Sequence, residues 1–227
     1  MIGGGLIIAG RRVEVPGVNV VTWEDDAARA PKITDGHRRD PSKVLAFCLH
    51  TSKGRRSSVK PGARPSNRAE LLARYQSRTE RDVSWHITVD TDGDVLQQED
   101  LATWMAWHVE EANGWTVGAE LIQHEDDHSL WEVQVAAAAS VVEATCGALA
   151  IPRRVLVGPD GAPWVKPVPA LLMKKHGGPG QRWAGVLGHC NVVPDTVRGP
   201  GDPGPWAFAE LLRRGFEAVD VRTLGAT

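Results

Sequence analysis

Six apolar residues in a row, Val44-Leu45-Ala46-Phe47-Cys48-Leu49, run directly into His50. A run without polar alternation is the pattern of a strand buried on both faces. Such a strand needs a sheet with further layers packed against it. Val117 to Ile122 repeats the pattern. Other segments supply partners. Ser84–Val89 and Val95–Gln98 flank Asp92-Gly93, a turn pair that joins strands into a hairpin. Asn67 can cap a helix over Arg68 to Ser77, with Leu71, Leu72 and Tyr75 on one face. Leu130 to Ala150, rich in alanine and valine, reads as a buried helix that ends at Ile151-Pro152. Val155–Val157 is a short strand. Trp206 to Ala218, with Trp206, Phe208, Leu211, Leu212 and Phe216 at helical spacing, reads as an amphipathic terminal helix. The expectation is an α/β domain with one central mixed sheet flanked by helices, over residues 44–227. Residues 1–43 read as an N-terminal extension and linker, in which Leu6–Ile8 and Val18–Thr22 could pair as a hairpin. Residues 158–183 form a long loop punctuated by proline and glycine, and loops of that length are often functional.

Composition removes several classes of function. The formal net charge is −2, with 24% charged and 42% hydrophobic residues, so nothing calls for a nucleic-acid partner. Three cysteines, Cys48, Cys146 and Cys190, do not make a disulfide framework. Cys48 and Cys146 read as small buried hydrophobes. No apolar run is long enough for a membrane span, so no membrane insertion is expected. The N-terminal stretch has no basic residue ahead of its short apolar segment, which is not the pattern of a secretory signal. Oligomeric state is not indicated.

Chemistry-bearing residues come together in three places. His50 follows the apolar run, where a sheet delivers side chains to a cleft. On its own it is more simply an ordinary hydrogen-bonded histidine. Gly188-His189-Cys190-Asn191 precedes Gly201-Asp202-Pro203-Gly204-Pro205-Trp206, and the prolines and glycines between let the chain fold back so that His189 and Asp202 meet. Two His and one Asp leave a fourth position for water, the catalytic arrangement of zinc. Asp-Pro-Gly-Pro alone is equally a turn before a helix.

In order, the chain carries His50 after an apolar strand, Trp85-His86 leading into Asp92-Gly93, Ala106-Trp107-His108, Asn113 before Val117-Gly118-Ala119-Glu120, Gly188-His189, and Asp202-Pro-Gly-Pro-Trp. Over about residues 44–217 this series resembles the zinc amidase family that includes N-acetylmuramoyl-L-alanine amidases, phage lysozyme-type amidases and animal peptidoglycan recognition proteins. The resemblance implies cleavage between N-acetylmuramic acid and L-alanine of peptidoglycan. It implies Zn2+ on His50, His189 and Asp202, with Cys190 a minor alternative ligand. It implies Glu120 as the catalytic base. Trp85, His86, His108, Asn113 and Trp115 are expected to line the substrate site. Two positions depart from the family: Pro200 stands where a lysine often steadies the oxyanion, leaving Arg198 as a candidate substitute, and Trp85 stands where related phage enzymes carry tyrosine. The alternatives are a recognition domain that binds peptidoglycan without cutting it, and a cytoplasmic amidase that recycles muropeptides. The leading expectation is an endolysin-like lytic enzyme, made in the cytoplasm and released to the wall by a holin or another non-signal route.

Overall fold

A computed structural model of the chain describes residues 4–30, 38–52, 67–81, 83–123, 130–194 and 203–225. In chain order its elements are β1 (Leu6–Ile8), β2 (Arg11–Val13), β3 (Val20–Thr22), β4 (Ala46–Ser52), α1 (Arg68–Gln76), β5 (Ile87–Val89), β6 (Val95–Gln97), β7 (Thr116–Ile122), α2 (Glu132–Leu149), β8 (Arg154–Val157), β9 (Gly185–Gly188), α3 (His189–Val192), α4 (Trp206–Arg213) and β10 (Glu217–Asp220). Eight strands form one mixed sheet in the order β10-β8-β9-β4-β7-β5-β6-β3. β10, β8, β9, β4, β7 and β5 run parallel, and β6 turns back against β5.

The apolar run is the middle of this sheet, and its two faces meet different cores. Phe47 and Leu49 point into a large cluster beneath α2 and α4, together with Val117, Ala119 and Leu121 of β7. Ala46 and Cys48 point the other way, into a cluster with Trp115, Leu156, Leu171, Met173, Trp183 and Leu187. That second face is covered by irregular chain, the 105–115 and 158–183 segments, rather than by a long helix. Side chains alternate faces along a strand, so His50 and Glu120 emerge on the loop-covered face. Both lie in the last turns of parallel strands, where open α/β sheets place their ligands.

Several local expectations are corrected. β1 pairs with β2, not with the Val18–Thr22 segment, whose β3 instead adds an edge strand to the main sheet against β6. Leu6, Ile8, Val15 and Val20 belong to the large cluster, so this N-terminal stretch is built into the core. β4 does not stop at His50 but continues to Ser52. α1 buries Ala69, Ala73 and Gln76, while Leu71 is 59% and Tyr75 42% exposed. Its small face lets it lie close to the sheet, and the Gln76 side chain takes over hydrogen bonding from the Trp85 backbone, accepting from its N–H at 2.9 Å and donating to its carbonyl at 3.4 Å. α4 ends at Arg213, not near Ala218, because Gly215 adopts φ +85°, a left-handed conformation that stops a helix. The following residues return to the sheet as β10.

Candidate metal centre and active site

Strand register brings the chemistry together. His50 of β4 lies directly beside Glu120 of β7, and Glu120 beside Thr88 of β5. On the other side Leu49 lies beside Gly188, so His189 follows at the next step. His50, Glu120 and Thr88 thus form a row across β4, β7 and β5, and His189 stands next to it just past the end of β9. The His50 and His189 rings are both buried, with centroids 5.1 Å apart. Two imidazoles sharing one tetrahedral ion, with metal–nitrogen distances of about 2.0–2.1 Å, have ring centroids about 5 Å apart. The donor chemistry and the spacing therefore fit a zinc-like ion.

His189 opens α3, and Asn191 fixes that short turn. The Asn191 side-chain oxygen Oδ1 accepts from Gly188 N–H at 2.8 Å, and its side-chain amide donates to the carbonyls of Trp164 and Lys166 at 3.0 and 2.9 Å. The long 158–183 segment thereby clamps the turn that bears His189. Pro203, the residue after Asp202, comes up to the same place: a Cβ on Gly188 would meet the Pro203 ring at 3.5 Å and the Cys190 sulfur at 3.2 Å. Asp202 and Arg198 themselves lie outside the described residues. Cys190 is buried beside Gly188.

His108 closes the far side of His50. Its Nδ1 lies 2.9 Å from His50 Nε2, and its Nε2 lies 3.2 Å from the Thr116 hydroxyl, which donates to the Ala112 carbonyl at 2.8 Å. The ring lies over Gly118, where any Cβ would stand 2.5 Å from Nδ1. Gly118 is glycine because the imidazole occupies its side-chain space. The Cys48 sulfur lies with the His50 and His108 nitrogens in a buried group whose donor atoms are within 4.8 Å of one another. Burial first, and then the His86 and Arg39 neighbours, hold the His108 imidazole well below its ordinary range.

The remaining expected residues are distributed behind this row. His86 is fully buried: its Nδ1 accepts from Gly118 N–H at 3.0 Å and its Nε2 lies 3.1 Å from the Trp104 carbonyl. Burial, then the Arg39 charge, keep it neutral by lowering its pKa well below the usual value. Asn113 turns inward, and its side-chain oxygen accepts from the backbone N–H of His108 and Val109 at 3.0 and 2.6 Å. Trp115 is a core residue of the second cluster, 5% exposed. Trp85 is buried, with its indole N–H donating to Thr88 Oγ1 at 2.8 Å.

Two contributors carried no readable signal. Thr116 is one more β-branched strand residue until the fold sets it under His108. Arg39 stands in a polar stretch, yet its guanidinium donates to the carbonyls of Leu101, Ala102, Asn113 and Thr116 at 2.5–3.1 Å and gathers the 101–116 segment around the histidines. Burial pulls its pKa down to about 10, against the Glu99 and Asp100 charges that raise it. Glu99 is also buried, and neither carboxyl oxygen has a hydrogen-bond partner among the described residues. Burial pushes its pKa up to about 8, with Arg39 opposing and Asp100 assisting.

The family model described as N-acetylmuramoyl-L-alanine amidase matches residues 40–205. The fold is similar to a Drosophila peptidoglycan recognition protein, SD, with TM-score 0.54 and 15% identity over 92% of this chain and 99% of that one. It is also similar to Drosophila PGRP-LB, with TM-score 0.50 and 16% identity over 88% and 96% of the two chains. An endolysin N-acetylmuramoyl-L-alanine amidase of Clostridium intestinale aligns over 89% of this chain and 97% of its own at 9% identity and TM-score 0.47. No curated protein sequence matches the chain. With the family model spanning most of its length, the chain belongs to the N-acetylmuramoyl-L-alanine amidase family.

Proposed function

We propose that the chain is a zinc-dependent amidase that hydrolyses the bond between N-acetylmuramic acid and L-alanine in peptidoglycan. His50, His189 and Asp202 hold the ion in this reading. The observation that carries it is the pair of buried imidazoles at adjacent strand ends, 5.1 Å between centroids, with Glu120 in register beside one of them. When bound, zinc supplies Lewis acidity, which acidifies water and polarises a carbonyl.

The chain's own residues do the rest. Glu120 accepts the proton of the attacking water as the carbon–oxygen bond forms, then delivers it to the departing amine nitrogen as the carbon–nitrogen bond breaks. Gly118, two residues earlier on the same strand face, leaves room for His108 to stand behind His50. Trp85 is fixed on Thr88, Glu120's neighbour, and shapes the floor with no acidic hydroxyl. Arg198 is the candidate for steadying the oxyanion, and loss of kcat with little change in KM on Arg198→Ala checks that role.

Purified chain, stripped and reloaded with zinc, is assayed for new amino termini released from peptidoglycan. The reading expects one zinc per chain, loss of the ion on His189→Ala, and retained zinc without product release on Glu120→Gln. Binding of peptidoglycan with no release by the wild-type chain would make it a recognition domain instead. Comparing intact sacculi with soluble muropeptides separates a lytic, endolysin-like enzyme from a recycling one.

A further inference from the structure

We infer that His108 is a positioning residue for the metal site: it fixes the tautomer and tilt of His50, and Thr116 fixes His108 in turn. This rests on the zinc reading above, and deepens it. The argument follows the hydrogens. Thr116 has one hydroxyl hydrogen, and the Ala112 carbonyl at 2.8 Å can only accept it. With that hydrogen on the shorter contact, the same oxygen, 3.2 Å from His108 Nε2, accepts from that ring, so Nε2 carries the hydrogen. A neutral imidazole then has its lone pair on Nδ1. That lone pair faces His50 Nε2 at 2.9 Å, so His50 Nε2 must be the donor. The lone pair of His50 is left on Nδ1, and this is the nitrogen offered to the ion. In this assignment every hydrogen from His50 through His108 and Thr116 to Ala112 points the same way along the chain.

The buried group of Cys48, His50 and His108 offers a competing arrangement, an ion held by those three donors. Distance favours the relay. Two nitrogens bound to one tetrahedral ion at about 2.0–2.1 Å each stand about 3.3 Å apart. The observed 2.9 Å is a hydrogen-bond length instead. The relay is also braced from both sides: Gly118 gives the His108 ring its seat, and Asn113 holds the backbone N–H of His108.

Two measurements on the full chain test this. Long-range proton–nitrogen NMR correlations on metal-free and zinc-loaded protein read the His108 tautomer directly, and Nε2–H is expected in both. Chelator competition reads zinc affinity. Partners that orient a ligand imidazole typically change affinity by about 10- to 100-fold when removed. Thr116→Val is expected to weaken zinc binding in that range, Thr116→Ser to restore it, and Cys48→Ser to leave it within about 2-fold. An Nδ1–H tautomer on His108, or unchanged affinity in a folded Thr116→Val, would overturn the inference. Loss of zinc on Cys48→Ser would move the ion to the inner group and overturn it as well. A wild-type chain that folds but binds no zinc fails the zinc reading itself, while the tautomer measurement still judges the relay.

Discussion

Two buried polar groups meet at the 101–116 segment, and they are built on opposite principles. In the relay from His50 to Ala112 each hydrogen has an acceptor and each acceptor a hydrogen. Beside Arg39 one member is left out. The guanidinium gives its hydrogens to four carbonyls, and Glu99 is left buried with neither oxygen partnered among the described residues. A satisfied network orders its members, whereas an unsatisfied carboxyl in a dry setting keeps its proton instead. One arrangement gives a rigid imidazole, the other a stability that varies with pH.

Breaking the relay at its seat has the largest expected effect. Gly118→Ala places a methyl group 2.5 Å from the His108 ring and forces it to move. Zinc affinity and amide cleavage are expected to fall at least about 100-fold, with a stability loss of about 1–3 kcal/mol from overpacking. A variant with wild-type affinity would show that His108 can be displaced at no cost to His50.

The Glu99 side of the comparison is sharpened by titration. An unfolded glutamate releases its proton near 4.5, while in the fold it holds it to about 8. Between those values the folded chain binds a proton that the unfolded chain has lost. Stability is therefore full below about 4.5 and declines as pH rises through about 8. Glu99→Gln is expected to remove that decline and to raise the melting temperature at pH 9, with an effect of a few kcal/mol. Identical pH profiles for the two proteins would mean that Glu99 is charged and paired in solution.

A third test asks whether satisfaction matters as much away from the metal site. Gln97, fully buried, exchanges two hydrogen bonds with the Ile7 backbone at 2.8 and 2.7 Å and so ties β1 to the sheet edge. Gln97→Leu leaves a buried N–H and carbonyl unpaired, for about 2 kcal/mol of stability read by urea unfolding, with no change in zinc affinity. The smallest effect is expected at Trp206, which is 54% exposed and outside both groups. Trp206→Ala should stay within about 0.5 kcal/mol.

The sequence made the sheet legible where burial is symmetric. Val44–Leu49 and Val117–Ile122 are apolar on both faces because both faces are covered, and a pattern reader sees that directly. β10 and the inner face of α1 were not legible, since Glu217–Asp220 is half-exposed at an edge and α1 buries alanines rather than its leucines. At the site, His50, His189 and Glu120 were readable because each ends or follows a strand-like run. Glycine inside a strand signals close approach, but Gly118 could not say that an imidazole rather than backbone would fill the space. The direction of the relay was hidden for a stronger reason: it depends on the Thr116 hydroxyl meeting the Ala112 carbonyl and the His108 ring together, and the sequence pattern does not say that the ring comes there.

The account stands most directly on where the ion sits. An anomalous-scattering map from crystals of the zinc-loaded chain is expected to show one peak bonded to Nδ1 of His50, to His189 and to the Asp202 carboxylate, with His108 at hydrogen-bond distance from His50 Nε2 and not bonded to the ion. A peak among Cys48, His50 and His108, or zinc-loaded crystals with no peak between His50 and His189, would contradict it.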